Sequence, residues 1–336
     1  MKGSVDRRWA VCALVASSLF VPSMACGASP GAPDSGVRTA GSPAGSPSTR
    51  PEERCEFTSY TEVGELFEKL NYTPETWQAG IREVPRVYLT TIAPRWRDRV
   101  SQEVTVLEKK RIFFRALAPL VLRSNEFILR DRARLEQIRD SWSGVDGLDG
   151  DDLQWLADLA VAYGVVGDDR AMVDRGVVDE LLIRVDIVPV SLALGQCAEE
   201  SGWGTSRFAA EGNALFGQWS WGGTGIKPLQ QREGMGDYRI AAFETPLQSV
   251  MAYMRNLNTH SAYAGLRARR AELRAKGERI SGFELAKTLD KYSERGPAYV
   301  ESLHGIMKVN RLDPADDAYL GDGPTIWLIP IGEGAE

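Results

Sequence analysis

Histidine is scarce in this chain: His260 and His304 are the only two among 336 residues. Cysteine is little more frequent, with four scattered positions. A multi-histidine metal site is therefore excluded, a Cys/His zinc site is not expected, and no cofactor is called for. There is no basic stripe either, and the formal net charge is -6. Such a chain is a poor match for a phosphate backbone, so nucleic acid is not an expected partner. What is present, 43% hydrophobic and 26% charged residues, is ordinary for a globular protein with a sizeable core.

The N-terminus reads as an address. Lys2, Arg7 and Arg8 precede an uncharged, largely apolar stretch at 9–21, which falls short of the roughly 20 residues of a membrane helix. Ser23-Met24-Ala25 comes next as a small-x-small cleavage pattern, so residues 1–25 are expected to be a secretory signal peptide. Cys26 directly follows the expected cut, where bacterial lipoproteins carry lipid. Ser23 stands where an aliphatic residue is usual, so lipidation and simple secretion both remain open. Gly, Ala, Ser, Pro and Thr make up 21 of the 25 residues from 27 to 51. Residues 26–51 are thus expected to be a disordered linker, with a reach of roughly 25–30 Å. The periplasm or outer membrane is the expected location, with membrane attachment through Cys26 if it is acylated. Cys55 and Cys197 could pair in an oxidising compartment, and a buried free thiol is the alternative for Cys197.

Helical periodicity dominates the chain from residue 52 onward. Residues 62–70 have apolar positions at helical spacing, 84–89 form a short extended or turn element, and 101–142 read as one long helix. Ser101 is its expected cap, and Pro119 is expected to kink or split it. A Gly/Asp cluster at 146–152 suggests a boundary. Further helices are expected at 153–163, 177–185, 190–201, 246–258, 261–275, 281–290 and 297–309. Two β-like runs, 216–221 and 238–243, flank a Gly-rich loop. Residues 322–336 read as a tail whose apolar part, 325–331, could pack back as an edge segment.

The nearly all-apolar helix 190–201 ends in Gln196-Cys-Ala-Glu-Glu200-Ser-Gly-Trp-Gly204. Carboxylates are seldom placed at the end of such a helix without a role. Glu199 and Glu200 lie about 100° apart around the helix, so only one can share the face of Gln196 and that one is Glu200. A carboxyl held against the Trp203 indole would have its charged form disfavoured, remain protonated, and serve as a general acid. A pair of solvated end-of-helix glutamates is the alternative.

These residues resemble a known family. Ala-Glu-Glu-Ser-Gly-Trp-Gly at 198–204 and Gly-Asn-Ala-Leu-Phe-Gly at 212–217 are similar to the paired motifs of bacterial glucosaminidase autolysins. Four further segments resemble the Bax-type subgroup: Gly-Asn-Ala-Leu-Phe-Gly-Gln-Trp at 212–219, Arg-Asn-Leu-Asn-Thr-His at 255–260, Val-Pro-Arg-Val-Tyr-Leu at 84–89 and Tyr-Ser-Glu-Arg-Gly at 292–296. The resemblance implies a mostly α, lysozyme-like (α+β) fold with a helical core and one small β-hairpin beside the cleft. The Gly/Asp cluster then divides an N-terminal helical region at 52–150 from a glucosaminidase-like domain at 151–321. The resemblance further implies hydrolysis of β-1,4 bonds at N-acetylglucosamine in peptidoglycan strands or muropeptides, with Glu200 in the position of the catalytic acid. A second carboxylate is sought on the hairpin, where Glu233 is the candidate and a solvent-facing turn residue the alternative. Tyr292 matches a cleft-lining tyrosine of the family, with a buried structural role as the alternative.

The remaining site candidates rest on their chemistry. Gln196 shares the Glu200 face. Trp219 and Trp221 are two apart on a strand and project from one face, where flat indoles suit a pyranose ring. Asn213 could bind sugar or stabilise its own turn. Phe216 and Tyr299 are expected to be packing residues, and His260 a helix-end cap. A glycan-binding protein without turnover and a lytic transglycosylase on the same scaffold are the competing readings.

Overall fold

A computed structural model describes residues 50–167, 173–220, 225–231 and 238–332. The expected signal segment, Cys26 and the expected linker up to residue 49 lie outside the described residues, as do Trp221 and Glu233.

Side-chain caps fix just over half of the α-helix starts. After strand β1 (Glu52–Phe57), helix α1 (Tyr60–Lys69) begins at the Ser59 cap and α2 (Pro74–Gln78) at a Thr73–Thr76 capping box. Strands β2 (Glu83–Val84) and β3 (Val87–Leu89) and short helices α3 (Pro94–Asp98) and α4 (Val100–Glu103) lead to the long α5 (Val106–Asp140). Then come α6 (Gly150–Ala162), α7 (Arg175–Arg184), α8 (Val190–Ser201) and α9 (Arg207–Gly212), with caps from Asp149, Asp174 and Ser206 at α6, α7 and α9. Strands β4 (Trp219–Ser220) and β5 (Arg239–Ile240) pair antiparallel. Helices α10 (Pro246–Thr259), α11 (Ala264–Ala275), α12 (Gly282–Ala286) and α13 (Pro297–Val309) precede strands β6 (Tyr319–Leu320) and β7 (Thr325–Pro330).

The fold is the expected one, mostly helical and lysozyme-like with a small hairpin. Several boundaries differ from expectation. The cap of the long helix is Thr105, not Ser101, which lies in the separate turn α4. Pro119 does not split α5: the helix is one element of 35 residues, with Leu117, Leu120 and Val121 buried around the proline. Packing of both halves against the core outweighs the hydrogen bond that proline forfeits. The apolar part of the expected tail does pack back, but as a central strand and not an edge segment. Strand β7 is the centre of a parallel sheet ordered β1-β7-β3, which explains its nearly unbroken apolar sequence. Nor is 150 a structural boundary, because α5 packs against α7, α8 and α10 within one core.

Helix α8 runs through that core between α5, α12 and α13. Gly195 permits the close approach to α13, since a Cβ there would meet Met307 Cγ at 2.9 Å. The chain entering α8 is held by two buried arginines. Arg132 donates to the carbonyls of Leu182 and Val185, and Arg270 to those of Ile183, Arg184, Asp186 and Ile187. They satisfy the orphan carbonyls at the end of α7, while the Asp186 carboxylate lies among Arg132, Arg270 and Arg274. The start of α8 is thereby fixed in the core, and its last turn carries Glu200.

Candidate active site

At the end of α8 the backbone turns left-handed at three successive residues, Gly202 (φ 57°), Trp203 (φ 62°) and Gly204 (φ 74°). Ser201 braces the turn: its hydroxyl donates to Cys197 O at 2.6 Å and accepts from Gly204 N at 2.8 Å. A Cβ on Gly204 would come within 2.9 Å of the Trp96 indole nitrogen, which itself donates to Trp203 O. The Ser-Gly-Trp-Gly sequence is thus the local prescription for this turn.

The turn corrects one expectation. The Trp203 indole does not provide the shield for Glu200. It packs edge-on against Phe114 and tilted against Phe113, with Lys110 4.5 Å above its ring. Glu200 is buried instead by tyrosines. Its Oε1 accepts the Tyr299 hydroxyl at 2.8 Å, and Tyr299 accepts from Gln196 Nε2 at 2.9 Å. Gln196 Oε1 in turn accepts the Tyr253 hydroxyl at 2.6 Å. Burial raises the Glu200 pKa to about 8, against the opposing Tyr299 hydrogen bond, with Glu199 adding to the rise and Arg295 resisting it. Glu200 is therefore mostly protonated near neutral pH, the state a general acid requires.

Glu199 lies beside it on a different face. It accepts Arg295 Nη1 at 2.6 Å and the Ser302 hydroxyl at 3.1 Å. The two neighbouring glutamates are thereby sorted, one ion-paired and one buried against phenols.

The Gly-Asn-Ala-Leu-Phe-Gly segment forms the opposite wall. Phe216 stacks on Tyr253, with centroids 3.8 Å apart and planes 7° from parallel. Gly217, at φ 59°, comes close to the other carboxyl oxygen: a Cβ there would lie 3.9 Å from Glu200 Oε2. The chain then enters β4, where Trp219 is half-buried and stacks on Tyr238 at 4.3 Å. The structure thus brings Gln196, Glu200, Tyr299 and Gly217 together.

Other candidates for substrate contact are placed otherwise. The Asn213 amide is committed to the protein: it accepts from Ile92 N and Thr91 Oγ1 and donates to Phe243 O and Glu244 O. Its left-handed backbone ends α9, so its role is the turn. Gln196 is fully buried and reaches Glu200 only through Tyr299. Tyr292 is also buried, stacked 5.3 Å from Tyr299 and tilted against Tyr263. Cys55 and Cys197 are both free thiols. His260 accepts from Ala262 N and caps a turn. Among the described residues no cluster of His, Cys, Asp and Glu could hold a metal.

Tyr299 is the site residue that sequence reasoning missed, since its apolar neighbours class it as packing. Tyr299, Leu303 and Met307 form a buried stripe at i, i+4 and i+8 of α13. A phenol in an otherwise apolar stripe needs a hydrogen-bond partner, and that was the available signal.

Comparison with known proteins identifies the family. Residues 177–312 match the glucosaminidase family model described as mannosyl-glycoprotein endo-beta-N-acetylglucosaminidase. The chain is 31% identical over 207 residues to Protein bax of Escherichia coli (strain K12), covering 60% of this chain and 70% of that protein. No solved structure matches the chain significantly. The matched segment holds α8, the hairpin and α13, and with them Glu200 and its tyrosine partners; the chain belongs to the Bax-type branch of the glucosaminidase family.

Proposed function

We propose that this protein is an exported peptidoglycan hydrolase that cleaves β-1,4 glycosidic bonds at N-acetylglucosamine, with Glu200 as the general acid. The observation that carries the reading is a buried carboxyl, with one oxygen held by Tyr299 and the other facing the hairpin wall at Gly217. Glu200 delivers its proton to the leaving glycosidic oxygen as the C–O bond breaks, and the bond's electron pair stays with that oxygen. Attack at the anomeric carbon then comes from water or from the substrate's own acetamido group. Glu233, on the loop joining the hairpin strands, is the proposed second carboxylate. Trp219 is a platform for a sugar ring, backed by Tyr238. Residues 1–25 direct export to the periplasm or outer membrane, and acylation of Cys26 would hold the protein at a membrane.

The test is digestion of purified cell wall followed by mass spectrometry of the products. New reducing ends at N-acetylglucosamine are expected, and Glu200→Gln should lower their release by about 10²–10⁴-fold. Anhydro-muramyl products would instead mark a transglycosylase. Binding without any release would mark a glycan-binding protein.

A further inference from the structure

We infer that Tyr253, Gln196 and Tyr299 form a one-way chain of hydrogen bonds that places the acid's proton on Glu200 Oε2, the oxygen facing the substrate wall. The inference rests on Glu200 being the acid, and it concerns which atom of that acid is armed.

The direction follows from counting donors and acceptors. Tyr253 is completely buried, and its hydroxyl has one acceptor within reach, Gln196 Oε1 at 2.6 Å. A buried O–H without an acceptor is costly, so this phenol donates and fixes which end of the Gln196 amide faces it. Gln196 Nε2 therefore faces Tyr299 and donates to its oxygen at 2.9 Å. That leaves the Tyr299 proton to point at Glu200 Oε1, 2.8 Å away. Oε1 must then accept, as the carbonyl oxygen of a protonated carboxyl does, and the acidic proton belongs to Oε2. Oε2 has no hydrogen-bond partner among the described residues and lies on the Gly217 side.

The alternative arrangement is an amide turned over. Gln196 Oε1 would accept from Tyr299, Tyr299 would accept the Glu200 proton from Oε1, and the acid would point away from the cleft. Only the Tyr253 proton disfavours that state. Tyr253 is completely buried and makes no hydrogen bond to Glu200, so it is a positioning residue acting through two others. Phe216, stacked on its ring, holds it in place. The remaining groups that act on Glu200 are Glu199 and Cys197 of its own helix, Arg295, and Tyr292. None of them hydrogen-bonds to either carboxyl oxygen.

The experiment uses the full mature chain and the single and double variants Tyr253→Phe, Tyr299→Phe and Tyr253→Phe/Tyr299→Phe, with thermal melts to confirm folding. Turnover is measured on a defined muropeptide oligomer across pH. The Tyr299 hydrogen bond favours the carboxylate, so its loss must raise the Glu200 pKa and move the basic limb of the rate profile to higher pH. Tyr253→Phe lets the amide turn over and diverts the Tyr299 proton. It should move the limb the same way and lower kcat about tenfold with KM unchanged. Because Tyr253 acts only through Tyr299, the double variant should be no slower than Tyr299→Phe alone. Additive losses with an unmoved basic limb would overturn the chain.

An infrared titration separates this inference from the hydrolase reading. The carboxylic C=O band of Glu200 is the one that Glu200→Gln removes. Its midpoint should rise in both single variants whether or not the protein turns over. A shifted midpoint without wild-type turnover would retain the chain and refute the hydrolase. Normal turnover with an unshifted midpoint would do the reverse.

Discussion

Asp316 accepts both the backbone N–H and the hydroxyl of Ser191, each at 2.8 Å, at the start of the helix whose other end carries Glu200. The same carboxylate accepts from Gly282 N, so it pins α8 to α12 where the two backbones nearly touch. Asp316→Ala would strand two backbone donors. At about 1–3 kcal/mol per stranded buried group, the melting temperature at pH 7 should fall by several degrees. Asp316→Asn keeps one accepting oxygen and should fall between. An alanine variant that melts like wild type would show that water replaces the carboxylate at no cost.

Glu200 should make the protein less stable as the pH rises. A carboxyl with a raised folded pKa binds more protons folded than unfolded. Its contribution is full below the unfolded pKa and is lost as pH climbs through the folded one. The window for Glu200 runs from 4.5 to about 8. Glu200→Gln removes this dependence, so its melting temperature should gain on wild type across that window and then level off. The ceiling is about 5 kcal/mol at about 1.36 kcal/mol per pH unit, or several degrees. Asp316, raised by burial to about 6, acts the same way but is common to both proteins. Parallel melting curves from pH 5 to 9 would contradict the burial of an acid at this position.

Glu199→Gln should spare turnover but shift its pH profile toward acid. The Glu199 charge raises the Glu200 pKa, and its ion pair occupies Arg295, whose charge lowers it. Loss of the one and release of the other act together, so the basic limb should move to lower pH. The plateau rate below it should stay within a few-fold of wild type. Arg295→Gln should move the limb the opposite way. A collapse of the plateau in Glu199→Gln would assign the proton donor to the wrong neighbour.

Local signals made much of the fold and the site legible. The apolar run at 190–201 and its stop at Gly202 define α8 to the residue, and they put Glu200 in its buried last turn. What escaped depends on contacts between distant segments. Strand β1 reads Glu-Glu-Arg-Cys-Glu-Phe, a charged sequence that an exposed edge strand tolerates and that no periodicity reveals. Its partner β7 lies at the far end of the chain, so neither strand could be recognised without the other. The same holds at the site. The helical register placed Trp203 one turn beyond Glu200, but three left-handed residues carry the indole over to α5. Tyr299 reaches Glu200 only because α13 docks on α8 at Gly195.

Trp219 and Asn213, both candidate sugar contacts from the sequence, should behave differently when cut to alanine. Trp219 is half-buried, lies on the hairpin, and is backed by Tyr238. Its loss removes a stacking face and no proton-transfer group, so KM should rise with kcat nearly unchanged if it holds substrate and transition state equally. Asn213→Ala strands Ile92 N and the carbonyls of Phe243 and Glu244. It also puts alanine in a left-handed turn at φ 51°, a backbone that asparagine tolerates better. The cost should appear in the melt, by more than about 2 kcal/mol, with ordinary KM in the fraction that folds. Asn213→Gly relieves the turn but not the lost hydrogen bonds, and should recover only part of the stability. Kinetics on a muropeptide oligomer paired with thermal melts separates the two residues. A KM defect in Asn213→Ala at full stability would return it to the groove, and wild-type KM in Trp219→Ala would remove the tryptophan from it.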